Sequence, residues 1–187
     1  MGFTQAQLKA YEGQTVPDLV APGIKLLFVG INPGLWTAAT QTHFCHPTNR
    51  FYPALRLAGL IDIEFDTDVG MSDSQRAQFL SRGIGITNLV ARATARASEI
   101  GSDELRVGGE RLRATIGDLN PSVVAVAGVT AYRTAFGESG AMLGRQKGDL
   151  AGAETWVLPN PSGLNAHETI ATLSLWFVEV GKRARLL

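Results

Sequence analysis

Two short stretches of the chain end an apolar run in the same way: KLLFVGINPG over residues 25–34 and TWVLPNPSGL over residues 155–164. Each delivers an asparagine, Asn32 or Asn160, directly before a proline, with Gly34 or Gly163 close behind. Proline holds its own φ near about −65° and drives the residue before it toward extended geometry, so each asparagine should finish a strand with a set orientation and project its amide beyond it. Glycine then lets the backbone turn, or lie against a ligand, without a Cβ in the way. A neutral amide so placed can orient a water or bond a polar ligand, but it removes a proton poorly. Asn, Pro and Gly are also ordinary turn residues, so either motif alone reads equally as a plain turn.

Both asparagines matter together only if the elements before them end on the same side of one sheet. Four segments rich in Val, Ile and Leu read as strands: LLFVGI near 26–31, IGITNLV near 84–90, VVAVAGV near 123–129 and TWVLP near 155–159. They lack polar alternation, which suits a parallel sheet covered on both faces. Helical patterns separate them: RFYPALRLAGL, SQRAQFLSRG, ELRVGGERLRATIGDL and AYRTAF. The final stretch from Asn165, with Glu168 three positions on, reads as a capping box opening a C-terminal helix. The alternation predicts an α/β fold, a three-layer α/β/α sandwich around a short, mainly parallel central sheet. In such sheets ligands bind beyond the carboxyl ends of the strands, where both Asn-Pro elements fall.

The bulk composition sets limits on what this fold does. With 187 residues, 45% hydrophobic and 18% charged, the chain fits one domain over 1–187, with residues 1–23 as an N-terminal extension. The single cysteine, Cys45, excludes an intrachain disulfide and predicts a reducing, cytoplasmic setting. No apolar run approaches the ~18 residues that span a bilayer, so no membrane partner is expected. A formal net charge of zero argues against holding nucleic acid by bulk electrostatics, though not against a local basic face.

GINPGLWTAATQTHFCHPTNRFY, followed downstream by ITNLVARAT, GGERL and LPNPSGLNAH, resembles the mismatch-specific uracil-DNA glycosylases, the branch that includes thymine-DNA glycosylase. The likeness extends over nearly the whole chain after about residue 24. It implies a monomeric, monofunctional glycosylase of base excision repair, acting on double-stranded DNA with G·U or related mispairs. Such an enzyme flips the uracil, hydrolyses its N-glycosidic bond and leaves an abasic site, without metal or organic cofactor. By resemblance Asn32 is the catalytic residue that positions the attacking water. Phe44 stacks on the flipped base, in a pocket with Ile31, Pro33 and Thr37, and amides around Ile31 and Phe44 bond its carbonyls. Asn160, Ser162, Gly163 and Leu164 form the insertion and mismatch loop, with Leu164 entering the vacated space. Trp36 and Thr37 are expected near C5 of the base, where Thr37 would hinder thymine's methyl group. Ala91 stands where relatives often carry an acidic residue, and Asn165 and Ala166 replace a more basic loop stretch.

The chemistry expected of these residues is spare. Neither motif contains a carboxylate, so the oxocarbenium-like cleavage must rely on uracil leaving as a stabilised anion. Neither Asn-Pro turn contains a lysine for a Schiff base, so the strand should stay intact. His43, Cys45 and His46 crowd within four residues but lack the spacing of a tetrahedral site, so no metal is assigned. Arg92, Arg96, Arg145 and Lys147 are candidate phosphate contacts, and Asn49 and Arg50 are expected to cap and start a helix. Residues 144–152 read as a surface loop or short hairpin. Two other readings stay open: a mismatch- or damage-binding module with negligible turnover, and a small α/β protein holding a nucleotide at its strand ends.

Overall fold

The computed structural model of the chain describes residues 2–187. Four strands run parallel in the order β2-β1-β3-β5: β1 (Leu26–Gly30), β2 (Ile84–Asn88), β3 (Val123–Ala127) and β5 (Glu154–Leu158). β4 (Gly144–Arg145) adds a short antiparallel edge beside β5 within the expected hairpin region.

Side-chain alternation along these strands divides the interior into two layers. Leu26, Phe28, Val123 and Ala125 pack beneath α3 (Phe51–Leu57), α4 (Asp73–Ser81) and α7 (Ile170–Arg183), against Phe51, Phe79 and Phe177. Leu27, Val29, Val124 and Val126 face the other way, beneath α5 (Ser102–Leu119) and α6 (Val129–Phe136), against Leu112, Ile116 and Tyr132. The result is the expected α/β/α sandwich. Every residue of β1, β2 and β3 is buried, which explains the continuous apolar runs. Each fully buried Leu, Ile, Val or Phe contributes about 1.5–3 kcal/mol through removal from water.

Two short helices, α1 (Gln5–Lys9) and α2 (Leu35–Thr40), have no counterpart in the periodicity. The first is fixed by a Thr4–Gln7 capping box, and the second begins at Gly34, immediately after the first Asn-Pro turn. The C-terminal helix starts later than the Asn165–Glu168 signature implied. Its capping box is Thr169 with Thr172, because Asn165 is occupied within the preceding loop: its Nδ2 donates to the Asn160 carbonyl at 2.9 Å and its Oδ1 accepts from His167 N–H at 3.2 Å.

The N-terminal segment is knitted into the body. Leu19 exchanges backbone bonds with Ile86, and Gly13 and Gln14 bond Ala93. The glycine pair of GGERL has a packing cause. A Cβ at Gly108 would collide with the Leu89 carbonyl, and one at Gly109 would lie 2.5 Å from the Ala135 carbonyl. Without side chains there, α5 lies directly on the end of β2, where Arg111 donates to the carbonyls of Asn88 at 2.7 Å and Leu89 at 3.1 Å.

Candidate active site

The chain leaves β1 for β2 on one side and reaches β3 on the other, so the carboxyl ends of β1 and β3 flank a topological switch. A cleft of about 630 Å³ opens there, within the range of small-molecule sites. Both Asn-Pro elements reach it: Ile31, Asn32, Pro33 and Thr37 from the first, Asn160, Ser162, Gly163 and Leu164 from the second. Phe44 lines the same space. The lining residues include no Asp, Glu, Lys or Cys. Among the described residues no three His, Cys, Asp or Glu side chains converge on a metal position.

The amide of Asn32 has one defined orientation. Its Nδ2 meets three acceptors, Thr94 Oγ1 at 2.8 Å, Pro33 O at 3.0 Å and Arg92 O at 3.1 Å. Thr94 Oγ1 donates its own proton to Arg96 O at 2.8 Å, so towards Asn32 it can only accept. Among the described residues Oδ1 of Asn32 has no protein partner and no unpartnered side-chain oxygen is buried, so it faces the open cleft. Thr94, rather than the neighbouring Ala91, is the side chain that this stretch turns onto Asn32.

Asn88, at the end of β2, supplies a second oriented amide, at 6% exposure and on the cleft wall. His43 Nε2 lies 2.9 Å from the Pro17 carbonyl, which can only accept, so the ring proton sits on Nε2 and the bare Nδ1 accepts from Asn88 Nδ2 at 3.0 Å. Asn88 Oδ1 leans over Gly30, where any Cβ would collide with it. The N-terminal segment thus reaches the cleft through one hydrogen-bonded chain, from exposed Pro17 to buried His43 and Asn88. Tyr52 donates to the His43 carbonyl at 2.8 Å beneath it.

His43 is 2% exposed, and burial pushes its pKa below 6.5. The unfolded chain therefore binds a proton in the window just below pH 6.5 that the folded chain refuses, so stability is lost as pH falls through it. The slope cannot exceed about 1.4 kcal/mol per pH unit, the value for a single proton. Urea unfolding at pH 7.5 and 5.5 should show this loss, and His43→Gln should flatten it.

Phe44 adopts φ +56°, a left-handed conformation that a non-glycine residue takes at a cost of about 1–2 kcal/mol. The turn lays its ring on Phe51 at 4.2 Å between centroids and 25° between planes. Gly30 is close enough that a Cβ there would lie 3.1 Å from the ring edge. The Phe44 N–H finds no acceptor among the described residues and is left for water or a ligand.

Several expected placements need correction. Asn160 lines the cleft, with one constraint on its amide: Oδ1 accepts from Ser162 N–H at 3.0 Å, closing a turn within its own loop. Trp36 lies outside the lining; its indole donates to Thr67 O at 2.7 Å and its ring packs on Phe3 and His46. Arg92 forms a two-pronged pair with Glu104 at 2.6 and 2.7 Å, which holds that carboxyl down at about 2 and occupies the guanidinium. Arg145 approaches Glu154 at 3.6 Å, while Arg96 stands exposed on the cleft rim with no ion-pair partner among the described residues. The N-cap of α3 is Arg50; Asn49, one residue earlier, accepts from Phe51 N–H at 2.9 Å, and the side chain of Arg50 leaves the helix for the Leu164 loop.

Asn88, Thr94 and His43 were not among the residues assigned to the site by sequence. Asn88 carried one signal, a lone asparagine closing an apolar run like Asn32. Thr94 carried none, because its contact with Asn32 crosses from one loop to another.

Fold and cleft define an α/β protein that presents neutral amides and an aromatic platform at the carboxyl end of a parallel sheet. The chain belongs to the uracil DNA glycosylase superfamily, whose family model matches residues 17–180. Membership implies a DNA glycosylase, a hydrolase of the bond between base and deoxyribose, with DNA as its partner. The chain is also similar to a proposed uracil DNA glycosylase from Methanosarcina acetivorans, solved by solution NMR. The TM-score is 0.59 and the identity 18%, covering 91% of this chain and 98% of that one. At that identity the likeness concerns the fold.

Proposed function

We propose that the protein is a monofunctional, mismatch-directed glycosylase that releases uracil from G·U mispairs in duplex DNA. The observation that carries this reading is the Asn32 amide, tethered through Nδ2 to three acceptors with Oδ1 open to the cleft that Leu164 also lines. An oxygen so held accepts a hydrogen bond from water and aims its lone pair at an anomeric carbon.

The base enters by leaving the duplex, at a cost of a few kcal/mol that weak mispairing reduces, which favours G·U over A·U. It stacks on Phe44. Asn88 Oδ1 accepts the uracil N3–H, a proton that cytosine lacks at that position, while the free Phe44 N–H donates to a carbonyl. Thr37, buried on the cleft wall, disfavours the methyl group of thymine. With no carboxylate in the lining, bond breaking relies on departure of the uracil anion, so turnover is slow. With no lysine there, the product is an abasic site on an intact strand.

The test is single-turnover release of base from duplexes containing G·U, A·U and G·T, and from single-stranded uracil DNA. Release fastest from G·U, with an intact strand, supports the reading. Binding of G·U duplex without release over hours would favour the second reading, a mismatch-binding module, to which the missing carboxylate lends support.

Phosphate contact is assigned to Arg96. Arg96→Ala should weaken duplex binding and lower the slope of log K against log salt by about one. Arg92→Ala should leave that slope unchanged, since Glu104 already neutralises Arg92.

A further inference from the structure

The loop that carries Leu164 is fastened from outside itself. Arg50 donates its backbone N–H to the Pro161 carbonyl at 3.0 Å, and its Nη1 donates to the carbonyls of Ser162 at 2.9 Å and Asn165 at 3.0 Å. Those two carbonyls bracket Gly163 and Leu164. On the other side Gly163 is pressed so closely to Thr48 that a Cβ would collide with its hydroxyl. Between these supports Leu164 projects with 93% of its surface exposed. Within the loop, Asn165 N–H donates to the Ser162 carbonyl at 3.0 Å, closing the turn, and Leu164 N–H contacts Ser162 Oγ at 3.3 Å.

The fastening also joins two parts of the site. Arg50 directly precedes Phe51, on which Phe44 stacks, so one short segment carries both the ring that backs the aromatic platform and the cation that shapes the projecting loop. An unfastened loop would have to be ordered on arrival of DNA, lowering the population able to insert. A guanidinium suits this task because its rigid fork gives up little freedom per hydrogen bond.

We propose that Arg50 is a positioning residue that holds the Leu164 loop in its projecting form before DNA binds. The proposal rests on the glycosylase reading and deepens it: Arg50 should matter for uracil in a duplex, where a wedge must enter, and not for uracil in a single strand.

Arg50→Met keeps the aliphatic stem and removes the donors. It should lower kcat/KM for a G·U duplex about 10- to 100-fold, while single-stranded uracil is released within about twofold of the parent rate. The fluorescence rise of a 2-aminopurine placed beside the uracil, which reports unstacking, should slow in parallel. Arg50→Lys, which restores one donor group and the charge, should recover part of the loss. The salt slope of duplex binding should not change in Arg50→Met, whereas a residue that touches phosphate would lower it by about one.

Equal losses on both substrates, no loss on either, or a lowered salt slope would each overturn the proposal. Should Arg50→Met fail to fold, as judged by thermal melting, the same comparison made with Arg50→Lys decides: a duplex-confined, smaller loss supports it and parental behaviour overturns it. A parent protein inactive on both substrates would instead overturn the glycosylase reading, and this proposal with it.

Discussion

Asn32→Ala is expected to slow release of uracil from a G·U duplex by about 10²- to 10³-fold, the scale lost when one positioned polar group is removed from a reacting centre. Duplex affinity should stay within a few-fold of the parent, because Phe44, Leu164 and Arg96 are untouched. The cause is local. Alanine removes the oxygen that holds the water, and the groups left behind, the carbonyls of Pro33 and Arg92 and the hydroxyl of Thr94, were arranged to receive protons from Nδ2. Asn32→Asp should not rescue the rate, although it introduces a carboxylate. It would set a charged oxygen against three acceptors at 2.8–3.1 Å and turn the side chain out of place. Single-turnover assays at enzyme excess check both variants, and parental rates in Asn32→Ala would sink the assignment.

Leu164→Ala should lower kcat/KM on a G·U duplex by about 10- to 100-fold, the equivalent of the roughly 1.5–3 kcal/mol that burying a leucine side chain contributes. The fold should not notice. Leu164 is 93% exposed and buries nothing against the protein, so its melting temperature should match the parent's within about a degree. Affinity for mismatched duplex should fall more than affinity for abasic product, since the vacated space in the product no longer has to be opened. Competition binding with the two duplexes measures the difference, and equal losses would count against a wedge.

These two residues sit in the part of the molecule that local sequence describes best. The apolar runs of β1, β2, β3 and β5 are near-continuous because both faces of the sheet are covered, and that pattern alone predicts parallel strands with ligand contacts beyond their ends. Proline after Asn32 and Asn160 marks where two of those strands stop. Capping was less legible. Asn165 and Glu168 match the helix-start signature as well as Thr169 and Thr172 do, and the choice between them was made by the loop's own conformation, which brings the Asn160 carbonyl onto Asn165.

What the sequence by itself determined, then, is the order and type of the elements, the burial of the sheet, and two strand-end asparagines in motifs that contain no acid. Those follow from periodicity and from the backbone limits of proline and glycine, which act over a few residues. Only the tertiary structure decided which way each amide points: Asn32 through Thr94, Asn88 through His43 and Pro17, and the Leu164 loop through Arg50. Hydrogen-bond direction depends on which donor and acceptor meet across the chain, and residues far apart in sequence leave no local trace of that meeting.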